Sequence, residues 1–170
     1  MLLDLGAFGA STVSACCLLG TARPARVWVS AGLMVLAMAG CVLGSSVPGV
    51  GLASIVLALA SAGFALQRRS RRVPPMSLHR ALGGVTMAAL VAMSPGMARG
   101  SGAPVPAHAH GVSLGAIVVA FVAGYLAYST WLLVTMARAR GLERRRGGRG
   151  LLELGEVTGM AVGVLLMSVM

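Results

Sequence analysis

Groups able to hold a soft metal ion recur at helical spacing in three stretches of the chain. Met34, Met38 and Cys41 share one face, as do Met76, His79, Gly83, Met87 and Met97, with Met93 at the edge. Glu153, Glu156, Met160, Gly163 and Met167 form the third such face. Offsets of three, four and seven fall together because each helical residue turns about 100°. Thioethers and thiols are soft ligands that select Cu(I), and imidazole also binds it. Opposed to one another, the three faces would make a copper column. Its inner end would hold His79, Glu153 and Glu156, with Cys16 and Cys17 level with them. Its middle would hold Met34, Met38, Met87 and Met160, and its outer part Cys41, Met97 and Met167. His108, His110 and Asp4 would lie beyond that outer end as a capture point. A plainer reading stands beside this one. Methionine fills gaps in apolar cores, Glu153 and Glu156 can pair with Arg146 or Arg149, His79 suits a membrane interface, and the two loop histidines suit a solvated turn.

The elements that position these groups follow from composition. Of 170 residues, 57% are apolar and 11% charged, with a mean hydropathy of +0.87. Soluble domains are about 45–50% apolar and about 25% charged, so a soluble globule is excluded, and so is disorder, which needs low hydrophobicity. A membrane-crossing helix takes about 20 mostly apolar residues. Six runs qualify, near 2–20, 27–44, 50–66, 76–98, 112–136 and 151–170. The expected fold is therefore an all-α polytopic transmembrane bundle, a single domain over 1–170. The fourth run is the least clean, with His79 and Arg80 near its start and Pro95 near its end.

Charge sets the expected orientation. The net charge is +10, and every basic residue is arginine. The first, third and fifth connectors hold twelve arginines, and the second and fourth hold only Arg99. Short Arg-rich loops stay cytoplasmic, which places both termini outside the cytoplasm and the chain in a bacterial cytoplasmic membrane. The arginines lie in connectors between apolar runs, so the expected partners are the bilayer and anionic lipid headgroups rather than nucleic acid. The start, Met1-Leu2-Leu3-Asp4, lacks the positive region of a cleaved signal peptide. Three cysteines inside apolar runs, with no C-x-x-C, do not form a disulfide framework.

Small residues repeat every four positions at Gly155, Gly159 and Gly163, and at Ala116, Ala120 and Gly124. Such rows let helix backbones approach closely in lipid. They suit a compact bundle, a partner membrane protein or a second copy of the chain. No phosphate-binding loop, nucleophile elbow or zincin motif occurs, so no enzymatic activity is expected. The leading expectation is an accessory or structural membrane component. Soft-metal binding or transport, with copper as the cofactor or cargo, is the alternative. A proton-coupled carrier using Glu153 and Glu156 is the third reading, since ionisable groups in a membrane usually face the bundle interior or a watery cavity.

The run Leu33-Met34-Val35-Leu36-Ala37-Met38-Ala39-Gly40 resembles the second helix of the bacterial membrane family known as domain of unknown function 5134. In that family a His-containing segment follows a basic loop and opens a Met-bearing helix, as Arg68–Arg72, His79, Met87 and Met93 do here. Gly124-Tyr125 followed by Trp131, and the closing Met160, Met167 and Met170, continue the likeness. Val29 and Ser30 stand where the family has a histidine, and Cys41 where it has a methionine. The resemblance implies six membrane helices. It carries no established activity.

Overall fold

The computed structural model describes residues 24–43, 49–67, 73–93, 114–142 and 149–169, with Gly6, Gly9, Ala10, Thr12, Val13 and Cys16, all helical, before them. The longer segments contain five helices: α1 (Ala25–Leu43), α2 (Val50–Leu66), α3 (Pro75–Ala92), α4 (Leu114–Leu142) and α5 (Arg149–Ser168). There is no strand among the described residues.

Local chemistry explains two of the starts. Gly49 precedes α2 with φ at 90°, a left-handed conformation that costs glycine least. Its carbonyl accepts from the Ala53 N–H at 3.0 Å. Pro75 opens α3, where its fixed φ suits the first turn and its missing N–H removes nothing. The Pro74 carbonyl accepts from Ser77 and Leu78 N–H at 2.9 and 3.1 Å.

α1 and α2 form an antiparallel hairpin sealed by small residues. Ser30 Oγ donates to the Ser61 carbonyl at 2.9 Å, and Ser61 Oγ returns a bond to the Ser30 carbonyl at 2.7 Å. Both serines are buried, so each hydroxyl spares the other helix an exposed polar group in an apolar seam. Arg26 Nη1 donates to the Gln67 carbonyl at 3.2 Å and closes the open end of the hairpin. α2 then packs on α3 through Ala58, Ala62, Gly84 and Ala88. The opposite side of α3 meets α4 and α5, which makes α3 the central helix.

Large apolar side chains are exposed while several ionisable or polar ones are buried. Leu52, Val56, Val119 and Leu151 are 57–71% exposed, whereas His79, Thr86, Glu156 and Arg80 are 0–7% exposed. Two segments, Gly115–Ala139 and Leu151–Ser168, are long and apolar enough to cross a membrane, and little of either is buried within the bundle.

This corrects the count of six. α1 and α2 are apolar but have 19 and 17 residues, at the short end of what a crossing takes. α3 ends at Ala92 and has His79 and Arg80 near its start, and the run 2–20 lies largely outside the described residues. Apolar composition was counted across helix ends and connectors that helical geometry does not join.

Candidate functional site: a buried ionic core

The polar groups of the bundle interior come from three helices. His79 and Arg80 are adjacent on α3, Tyr125 and Ser129 lie one turn apart on α4, and Glu156 is on α5. A spacing of four puts Tyr125 and Ser129 on the same side of α4, where they face His79.

The His79 ring is fully buried and stacks on Tyr125 with centroids 5.1 Å apart and planes 23° apart. Its Nε2 is 3.3 Å from Tyr125 Oη, and its Nδ1 is 3.3 Å from Ser129 Oγ. Ser129 Oγ in turn donates to the Tyr125 carbonyl at 2.8 Å. For a neutral imidazole one proton arrangement satisfies all three contacts. Ser129 has spent its hydrogen on the carbonyl, so it accepts from His79 Nδ1–H, which leaves the Nε2 lone pair to accept from Tyr125 O–H. The two hydroxyls thereby fix the orientation of the ring.

Next to it, Arg80 Nε donates to Glu156 Oε1 at 2.5 Å, with both side chains almost wholly buried. The pair joins α3 to α5. Among the described residues, two buried side-chain polar atoms have no hydrogen-bond partner, Arg80 Nη2 and Thr86 Oγ1. Between these residues on α3 lies Gly83, covered by the tip of Met160 and by the Tyr125 ring.

The residues picked out for a metal column separate into two groups. Met34, Met38, Met87 and Met167 do meet, in one cluster with Tyr125 and Val164. Leu82, Leu90, Val122, Leu126 and Leu166 pack against that cluster, so the thioethers sit in an apolar filling. Met160 stands beside Gly83, Cys41 is half-buried on α1, and Glu153 is partly buried on α5. Met97, His108, His110, Cys17 and Asp4 lie outside the described residues.

The structure adds no support to the metal reading. Among the described residues no three His, Cys, Asp or Glu side chains could share a metal ion. His79 has both ring nitrogens engaged, and Glu156 is bound to Arg80. Replacing both Met87 and Met160 by leucine, a near-constant-volume change, should shift stability by less than about 1.5 kcal/mol and leave the copper content at background. A parent protein isolated with stoichiometric copper that the double variant loses would restore the metal reading.

Sequence reasoning found His79 and Glu156 but passed over Arg80, Tyr125, Ser129 and Thr86 as site residues. One usable signal was present, an arginine inside an apolar run, since ionisable residues there need a partner. The i,i+4 pair of hydroxyls in the fifth run was another. Compared with known proteins, the chain matches no family model, no curated protein and no solved structure.

Proposed function

We propose that the chain is a multi-pass protein of a bacterial cytoplasmic membrane that works as a proton-linked carrier through the ionic core between α3, α4 and α5. Both termini outside the cytoplasm, and kinship with the membrane family named above, belong to the same proposal. The observation that carries it is the Arg80–Glu156 pair, buried at the centre of a bundle whose outer surface is apolar. Charges inside a lipid-facing bundle are expensive, and those that persist commonly mark proton and ion pathways. Glu156 is the group that can gain and lose a proton here. Arg80 holds its charge throughout, and His79 is fixed between Tyr125 and Ser129.

Two measurements test this reading. The protein should stay in the membrane pellet after alkaline carbonate extraction. On acidification, infrared difference spectra of the purified protein should show a protonated-carboxyl band that Glu156→Gln removes. Release into the carbonate supernatant would overturn the membrane assignment. A folded protein with no such band, or with the same band in Glu156→Gln, would overturn the proton-linked role.

A second reading, an accessory subunit, is favoured by one observation. The row Ala116, Ala120 and Gly124 on α4 is exposed, and a Cβ placed on Gly124 would meet nothing within 4 Å. That surface suits close approach of a partner helix or a second copy.

A further inference from the structure

The Arg80 guanidinium meets Glu156 through Nε alone, and its Nη2 is buried without an acceptor. Arginine and carboxylate pair best through two parallel bonds, so this contact leaves half of a carboxylate-binding fork unused. The arginine charge is permanent. In an apolar interior it needs an anion beside it, because an uncompensated buried charge costs several kcal/mol. Glu156 supplies that anion only while it is ionised.

We propose that Arg80 binds a small carboxylate monoanion when Glu156 is protonated, so that proton and carboxylate enter together. This rests on the proton-linked reading. The charges balance. Glu156 carboxylate takes one proton and becomes the neutral acid, the incoming carboxylate replaces it against Arg80, and the site is neutral before and after. The other titratable groups named on these helices are His79 on α3, which lies between Tyr125 and Ser129 of α4, and Glu153 and Arg149, toward the start of α5. The space beside Gly83, one turn beyond Arg80, is filled by the tip of Met160 and the Tyr125 ring, so an incoming carboxylate must displace the flexible Met160 tip.

The test is thermal unfolding of the detergent-purified full chain in sodium formate or sodium lactate, against sodium chloride at equal ionic strength. Both carboxylates should raise the unfolding midpoint under mildly acidic conditions and not under alkaline ones. Affinity should fall about tenfold per pH unit as pH rises, the signature of one coupled proton. A pH electrode in weak buffer should read one proton taken up per anion bound. Glu156→Gln, with its side chain permanently neutral, should bind formate equally at both pH values. If that variant folds only when formate is present, the result is the same. Arg80→Gln, alone or with Glu156→Gln, should show no response. The proposal is overturned by a folded parent that ignores both carboxylates, by a folded Glu156→Gln that fails to bind, or by an Arg80→Gln that still binds. Loss of the formate response with the Glu156 carboxyl band intact would overturn the carboxylate alone. Loss of the band would overturn the proton-linked role with it.

Discussion

Glu156→Ala should destabilise the folded bundle by about 3–5 kcal/mol, and Arg80→Ala by a similar amount. Glu156→Ala strands the Arg80 charge among α3, α4 and α5, and Arg80→Ala takes from Glu156 the cation it pairs with, at side chains no more than 7% exposed. The cost comes from the partner left behind and not from the strength of the pair itself. Arg80→Met combined with Glu156→Leu removes both charges at roughly constant shape, and should recover most or all of the loss. Denaturant or thermal unfolding of the four proteins in one detergent measures this cycle. Single variants within about 1 kcal/mol of the parent would mean that water reaches the pair.

The second large effect belongs to a glycine. A Cβ on Gly84 would stand 2.8 Å from the Ala58 carbonyl oxygen, 3.1 Å from Ala62 Cβ and 3.3 Å from Ala62 N. Two of these atoms are helix backbone and cannot swing aside, so α2 and α3 must separate. Gly84→Ala should cost about 1–3 kcal/mol, and Gly84→Leu more. Gly83→Ala meets the flexible end of Met160 at 2.8 Å and the Tyr125 ring at 3.4 Å, and should cost less. Gly63→Ala meets nothing within 4 Å and should be neutral or stabilise by up to about 1 kcal/mol, because alanine is the better helix former. The ranking Gly63, Gly83, Gly84 is checked by unfolding midpoints. Equal losses at all three would contradict the close α2–α3 seam.

These effects mark how far the sequence could be read. The helices themselves were legible: the run 50–66 coincides with α2, and 27–44 differs from α1 by a residue or two at its ends. The fourth run was drawn too long, since α3 stops at Ala92 while the apolar composition continues toward Pro95. The fifth was drawn too short, because α4 carries its backbone bonds to Leu142, past Arg138 and Arg140, which are good helix formers. Membrane crossing was over-read at α3 because the run outran its helix, and at α2 because a run of 17 residues sits at the short limit for a span.

The site was half visible. His79 and Glu156 stand out as ionisable groups in apolar runs. Periodicity ranks residues on their own helix and is silent on which helix lies opposite. Nothing in spacing therefore joined Glu156 to Arg80, 76 positions away, or His79 to Tyr125. The methionine faces do meet, but shared position does not distinguish a ligand cage from a packed core. The neighbours in the cluster, Val164 and the leucines, are those that a packed core would have.

The unequal helices bear on the lipid as well as on the protein. At about 1.5 Å per residue, α2 with 17 residues is about 26 Å long, and α4 with 29 residues is about 44 Å. The hydrocarbon layer is about 30 Å thick. In the membrane proposed for it, the bundle is short along its α1–α2 flank and overlong along α4. The short flank draws the two leaflets together, and the long one tilts or carries its arginine-bearing end into the headgroups. Each ångström of mismatch costs only a fraction of a kcal/mol, but the cost falls on opposite sides of one small protein. The result is a wedge that thins the bilayer beside α2, gathers shorter-chain lipids there, and gives any neighbouring protein an elastic reason to settle on that side.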